Sequence, residues 1–230
     1  MSRPSIRRAL KRAGLERSAR PPRPPGPRSV GAIPPPRIFL PGESADSGPI
    51  DFTSIFGRRA PVELEIGTGK GRFLLKQAAE HPERDYLGAE LEPGYALIAS
   101  ARAGALGLAN VRIERLDGKE FVLRRLPPGS LAALHVYFPD PWPKKRHHKR
   151  RLFDGSFAAA AAAALRKGTL LRVVSDHADY FAVIRDVLES EPALERVPEA
   201  ELGDWTTGTN YEVKFARTGR SIHKLAFRKW

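Results

Sequence analysis

From residue 51 onward the chain alternates short β-rich runs with helical stretches, which restricts it to a layered α/β fold. Val62–Ile66 reads as a strand and Gly71–His81 as a helix. Tyr86–Glu90 and Val111–Arg115 are predicted strands, each followed by a predicted helix, Tyr95–Ala103 and Lys119–Arg125. Leu131–Phe138 is apolar on both faces, as a central parallel strand requires. Phe153–Leu165 is predicted helical, because Ala158–Ala164 is an unbroken run of the best helix former. Gly168 stands where a helix-terminating glycine is expected. Leu170–Val174 reads as a strand and Tyr180–Leu188 as a helix. Tyr211–Ala216 and Ile222–Phe227, around Thr218-Gly219-Arg220, predict a terminal antiparallel hairpin. Repeated β-α units closed this way imply a doubly wound, mostly parallel sheet with an antiparallel edge.

The first fifty residues are of another kind. Nine prolines fall in the first forty positions, together with ten Lys or Arg against the single acid Glu16. Such a segment buries too little apolar surface to offset the entropy of ordering it. The expected division is therefore a disordered basic extension over 1–50 and one domain over 51–230. Sparse serine and dense proline argue against an organelle transit peptide. Residues 1–40 hold +9 of the chain's +13, so the other 190 residues carry +4. Six cations between positions 144 and 151 exceed even that remainder. The folded body is close to neutral, and one tail and one loop supply the basicity, as a polyanion footprint demands.

No stretch of about 18 apolar residues is present, so no membrane span is expected. The chain has no cysteine, which excludes disulfides and thiolate metal sites. His147-His148 lies among cations that would repel a metal ion, and no metal is expected.

Two motifs carry the chemistry. In the first, the strand Val62–Ile66 runs into Gly67-x-Gly69-x-Gly71, a loop whose glycines let backbone amides and a helix N-terminus approach a ligand. The spacing lacks the third glycine of the dinucleotide pattern, whose place is taken by Arg72. Glu65, just before the loop, suits a cofactor bearing an ammonium group and disfavours a pyrophosphate. Glu90, at the end of the second strand, is placed to accept from ribose hydroxyls. Asp117, after the third, is placed to accept from an adenine amino group. Three acids at successive strand ends favour S-adenosylmethionine over a nicotinamide dinucleotide.

The second motif is Tyr137-Phe138-Pro139-Asp140-Pro141-Trp142-Pro143, an acid in a rigid aromatic-proline turn. Lys144, Lys145, Arg146, Lys149, Arg150 and Arg151 follow, at the end of the central strand beside the expected crevice. Trp142 is suited to stacking on a base, whereas Tyr137 and Phe138 are expected in the core. His135 and His177 are expected to be structural.

Together with Gly88-Ala89-Glu90, Ser175-Asp176 and Thr209-Asn210-Tyr211-Glu212, these residues resemble bacterial tRNA (guanine-N7-)-methyltransferases over about residues 51–229. The resemblance implies a Rossmann-like class I methyltransferase fold, with S-adenosylmethionine as cofactor and tRNA as partner. The implied reaction is methylation of N7 of a guanine in the variable loop. A cytoplasmic enzyme without metal is expected, monomeric or homodimeric. By position the resemblance assigns Glu65, Gly67, Gly69, Gly71, Glu90, Asp117 and Asp140 to the cofactor, with Asp140 also the catalytic residue. Lys144, Asp176, Thr209, Asn210, Tyr211 and Glu212 fall to the substrate; by charge alone, Lys145, Arg146, Lys149, Arg150 and Arg151 are expected to follow the RNA backbone. The proline-arginine extension has no counterpart in that pattern.

The residue chemistry agrees. Guanine N7 has a lone pair and no proton, so its methylation needs positioning and no general base. Guanine's N1–H and N2–H₂ donors lie on the opposite edge, where Asp140, Asp176 and Glu212 are acceptors of the right kind. The readings kept in competition are a methyltransferase for another RNA or a small molecule, and a non-catalytic RNA-binding module.

Overall fold

The computed structural model describes residues 48–202 and 205–230, with the side chain of Arg217 outside the description. Almost all of the expected basic extension therefore lies outside the described residues. Among the described residues, seven strands form one sheet: β1 (Val62–Ile66), β2 (Asp85–Glu90), β3 (Val111–Arg115), β4 (Leu131–Tyr137), β5 (Leu165–Ser175), β6 (Leu194–Arg196) and β7 (His223–Lys229). Their spatial order is β3-β2-β1-β4-β5-β7-β6. The first five pair in parallel, and β7 runs antiparallel between β5 and β6.

The helices are α1 (Phe52–Phe56), α2 (Arg72–Glu80), α3 (Pro93–Leu106), α4 (Gly118–Arg124), α5 (Gly155–Ala164), α6 (Ala178–Glu189), α7 (Glu199–Leu202) and α8 (Asn210–Thr218). Period-2 alternation in β1 sends Val62, Leu64 and Ile66 into one layer, where they meet Phe121 of α4, Phe157 of α5 and Tyr180 of α6. The alanine run lets α5 bury Ala158, Ala161, Ala162 and Ala164 against that layer. On the other face Leu74 and Leu75 of α2 pack with Ala96, Ala99 and Ala103 of α3 over Tyr86 and Ile113. A smaller cluster of Phe73, Tyr137 and Val174, with Phe138, Trp205 and Ile222 against it, lies under α8.

Five strands and five helices fall within three residues of the sequence expectations, and β5 begins five residues before its expected start. Two expectations are overturned. Gly168 does not end a helix: α5 stops at Ala164, and Leu165 turns to extended backbone (φ −72°, ψ 141°) and enters β5 directly. Gly168, at φ +82°, lies in an irregularity of that strand. There the register jumps from Leu131 opposite Leu165 to Ala133 opposite Leu170. Likewise, Tyr211–Ala216 is not a hairpin strand but most of α8. The Thr209 side chain caps that helix by accepting from the Glu212 amide, and Gly219 closes it at φ +66°. The antiparallel edge is real, but its outer strand is the short Leu194–Arg196, reached through α7 and α8 instead of a tight turn.

The chain winds outward from β1 through β2 to β3 and then crosses back to place β4 on the other side of β1, so the winding reverses between β1 and β4. The loops after these two strands, 67–71 and 138–144, flank that reversal, where doubly wound sheets bind ligands.

Close packing beneath the first loop is tight at Gly88 in β2. A Cβ there would meet Thr68 Oγ1 at 2.6 Å, Ile113 Cδ1 at 2.8 Å and Leu74 Cδ2 at 3.0 Å. Gly88→Ala is expected to destabilise the fold by about 1–3 kcal/mol through overpacking. Calorimetry checks this as a lowered Tm; an unchanged Tm would mean that the strand and loop shift freely.

Candidate active site

The glycine loop turns sharply because Gly67, Gly69 and Gly71 all sit in left-handed conformation, at φ +76°, +56° and +77°. At Gly71 space adds to conformation, since a Cβ would come within 3.1 Å of Ala99 Cβ. Gly67 N–H donates to Ala89 O at 2.8 Å, and Gly71 N–H to Thr68 O at 2.9 Å. Glu90 braces the loop from β2: its Oε2 accepts from Gly69 N–H at 2.6 Å and its Oε1 from Glu92 N–H at 2.9 Å.

Glu65 stands beside this loop and is 2 % exposed. Among the described residues its Oε2 is buried with no hydrogen-bond partner. Burial, and then the charge of Glu90, push its carboxyl well above the usual range, with the Leu74 backbone amide acting the other way. A buried acid of this kind calls for a cationic partner or a proton. Asp117 is exposed and caps α4, its Oδ1 accepting from Lys119 N–H at 2.8 Å and Glu120 N–H at 3.2 Å. Leu116 N–H donates to Glu90 O at 3.2 Å, which brings that cap beside the second acid. The three acids expected at successive strand ends therefore stand beside one another at the carboxyl ends of β1, β2 and β3.

Across the reversal, the turn after β4 is strained. Phe138 and Trp142 hold φ +54° and +42°, sparsely populated values for bulky residues. Between them Asp140 is exposed. Phe138 N–H donates to Val174 O at 2.7 Å, and the Phe138 ring packs 5.6 Å from both Tyr211 and Phe215. A 3-10 helix over Lys145–Arg150 follows, with Lys144, Lys145, Arg146, Lys149 and Arg150 exposed.

Arg151 departs from the expected backbone role. Its Nε donates to Pro141 O at 2.9 Å and its guanidinium lies 4.7 Å from the Tyr180 ring centre, so it pins the turn to the fold. Trp142 is also partly occupied: Arg150 lies 4.9 Å over its ring and His147 meets it edge-on at 5.8 Å.

The third side of the site is α8. Asn210 Oδ1 accepts from Arg72 at 3.3 Å, tying the start of α8 to the end of the glycine loop. Tyr211 is 53 % exposed above Phe138. Glu212, expected to accept from a base, is engaged on both oxygens. Oε1 pairs with Lys224 at 2.9 Å, and Oε2 accepts from Thr207 Oγ1 at 2.7 Å and Gly208 N–H at 2.6 Å. Burial raises its carboxyl, but Lys224, Thr207 and Gly208 outweigh that and hold it below the usual range. Its place is the foundation of α8. Asp176 pairs with Arg220 at 3.1 Å. Sequence reasoning missed Arg72, Trp205, Arg220 and Lys224, which carry no local motif; the Thr209-x-x-Glu212 capping pattern was the legible signal for α8.

Among the described residues no helix is long and apolar enough to cross a membrane, and no group of three or more His, Asp or Glu is placed to hold a metal ion.

A family model described as "Putative methyltransferase" matches residues 59–225. The tRNA (guanine-N(7)-)-methyltransferase of Alkalilimnicola ehrlichii is 44% identical over 190 residues, covering 79% of this chain and 78% of that protein. That of Halorhodospira halophila is 39% identical, covering 80% and 81%. This chain belongs to the tRNA (guanine-N7-)-methyltransferase family. Its fold is also that of solved methyltransferases at much lower identity. The 16S rRNA methyltransferase KamB aligns with a TM-score of 0.52 at 16% identity, over 77% of this chain and 91% of that one. The aminoglycoside resistance methyltransferase NpmB1 gives 0.51 at 17%, with the same coverage.

The raised carboxyl of Glu65 has a sign that stability measurements can read. Its folded form binds a proton over a wider range than the unfolded chain, so the ligand-free protein loses stability as pH rises above the ordinary glutamate value of 4.5. Glu65→Gln is expected to raise the Tm of the ligand-free protein at pH 8, with the gain shrinking toward zero near pH 4.5. Thermal denaturation across that range checks it; a gain independent of pH would mean that the carboxyl is not the cause.

Proposed function

We propose that this chain methylates N7 of a guanine in the variable loop of tRNA, using S-adenosylmethionine. The observation that carries the reading is Glu65, a buried acid with one oxygen lacking a hydrogen-bond partner among the described residues, beside a left-handed glycine loop. An ammonium group satisfies that oxygen, and a dinucleotide's pyrophosphate would be repelled by it. The residues fit the cofactor: Glu65 for the ammonium group, Glu90 for ribose hydroxyls and Asp117 for the adenine amino group. When bound, the cofactor supplies an electrophilic methyl group on a sulfonium sulfur.

The protein's own task is to bring the guanine in with N7 forward. Since N7 bears a free electron pair, no side chain has to remove a proton, and no Ser-His-Asp arrangement is required. Asp140, exposed in its strained turn, accepts from the guanine's N1–H and N2–H₂ edge. Asp176 is the second acceptor, with Arg220 giving up that carboxylate as the base enters. Glu212 acts through α8, which carries Tyr211 and Asn210 to the rim. Lys144, Lys145, Arg146, Lys149 and Arg150, all exposed, hold the phosphates, Arg150 from its place over the Trp142 ring.

Incubation with labelled S-adenosylmethionine and bulk tRNA, followed by digestion to nucleosides, is expected to place label in 7-methylguanosine; label in another nucleoside, or none, refutes the reading. Asp140→Ala is expected to abolish turnover while tRNA affinity stays within a few-fold. Retained turnover would remove Asp140 from the chemistry. Neutralising Lys144, Lys145 and Arg146 together is expected to flatten the salt dependence of tRNA binding by about 0.7–0.9 in log–log slope per lost phosphate contact. An unchanged slope would mean that these three residues do not touch phosphate.

A further inference from the structure

One buried polar chain in the protein has no part in the roles assigned above. Glu63 of β1 and His135 of β4 are 4 % and 1 % exposed, and Tyr137 is 6 % exposed. His135 Nε2 lies 2.9 Å from Glu63 Oε2, and His135 Nδ1 lies 2.8 Å from Tyr137 Oη. Arg84 completes the chain with an ion pair to the other oxygen of Glu63. We propose that Arg84–Glu63–His135–Tyr137 is a positioning device for methyl transfer, which fixes the Tyr137 ring and, through it, the turn that carries Asp140. This inference rests on the activity proposed above.

The proton order follows from the charges. Burial raises the Glu63 carboxyl, but His135 and Arg84 outweigh it and hold it down to about 2, so Glu63 is an acceptor only. His135 must therefore donate from Nε2. Burial keeps the imidazole neutral, with Arg172 of β5 and Arg84 acting in the same direction against Glu63. A neutral ring protonated on Nε2 leaves Nδ1 bare, and Nδ1 accepts from the Tyr137 hydroxyl. Glu65, Glu63, Arg172 and Glu212 are the charges that face that hydroxyl, and none of them is in place to replace His135 as its partner.

What this fixes is the meeting point of the three segments that build the site. The Tyr137 ring meets Phe73 edge-on at 4.8 Å, two residues beyond Gly71. It lies 6.0 Å from Trp205, which leads into the Thr207–Glu212 foundation of α8. Its own next residue is Phe138, the first strained position of the Asp140 turn. Left-handed backbone at a bulky residue persists only where its surroundings over-determine it. The hydroxyl bond supplies part of that restraint, and small displacements at a positioned acid are costly in rate.

Full-length wild type, Tyr137→Phe, His135→Gln and the double variant are compared by steady-state formation of 7-methylguanosine. Tyr137→Phe keeps the ring and removes only the hydroxyl. Its kcat is expected to fall about three- to tenfold, the worth of one buried hydrogen bond. KM for tRNA and for S-adenosylmethionine is expected to stay within about twofold, and the double variant to lose no more than the worse single one. Histidine-selective ¹⁵N NMR of the wild type is expected to find His135 neutral and protonated on Nε2 at pH 7. Wild-type activity with an unaltered kcat in Tyr137→Phe, or strictly additive losses, overturns the role alone, as does an imidazolium or Nδ1–H form. A wild type that forms no 7-methylguanosine overturns the proposed activity and this role with it.

Discussion

The fold is arranged around a carboxylate that it does not satisfy. Glu65 projects from a central strand into an interior where, among the described residues, Oε2 has no hydrogen-bond partner and Glu90 adds a like charge. Folding alone would select against such a group, because desolvating an acid without a compensating cation is costly. It persists beside a loop of three left-handed glycines, whose conformation serves close approach of a ligand. The glycines adopt this conformation without steric cost, so the local cost lies in the buried carboxyl. The surrounding layers supply the compensation. Leu74 and Leu75 below the loop, and Leu64 and Leu134 on the other face of the sheet, are completely buried.

A second local cost stands across the crevice. Phe138 and Trp142 bracket Asp140 in left-handed backbone, where a glycine would be the easy choice. Their rings explain the choice: Phe138 packs between Tyr211 and Phe215, and Trp142 between Arg150 and His147. The turn is thereby fixed from both flanks while its acid stays in solvent. Fixing the flanks and freeing the acid suits a reaction that needs a nucleophile held in place and no proton removed.

Much of the site is also secured from a distance. Asn210 reaches Arg72 across 138 residues, and Lys224 of β7 both pairs with Glu212 and donates to Trp205 O at 2.7 Å. The first turn of α8 is thus attached both to the start of α2 and to the antiparallel strand β7. Glu212 shows the consequence. Its position in a motif marked it as a substrate ligand, whereas its surroundings make it a support for the helix that bears Tyr211.

The local pattern was enough for the parallel half of the sheet, for the glycine loop and for the acids at the strand tips. Each of these follows from a residue's own conformational preference or from a period of two or 3.6, which neighbours in the chain fully express. The sequence also located Asp140 and the basic loop, because proline, aromatic and charge runs are contiguous. It misread Tyr211–Ala216, since tyrosine, valine and phenylalanine favour strands until a capping threonine and burial of one helical face override them. It gave no sign of the buried Glu63–His135–Tyr137 chain or of the partners of Asp176 and Glu212. Those contacts join residues far apart in the chain, and only the packing of helices on the sheet decides whether a charged side chain meets a counter-ion, a hydroxyl or an empty space.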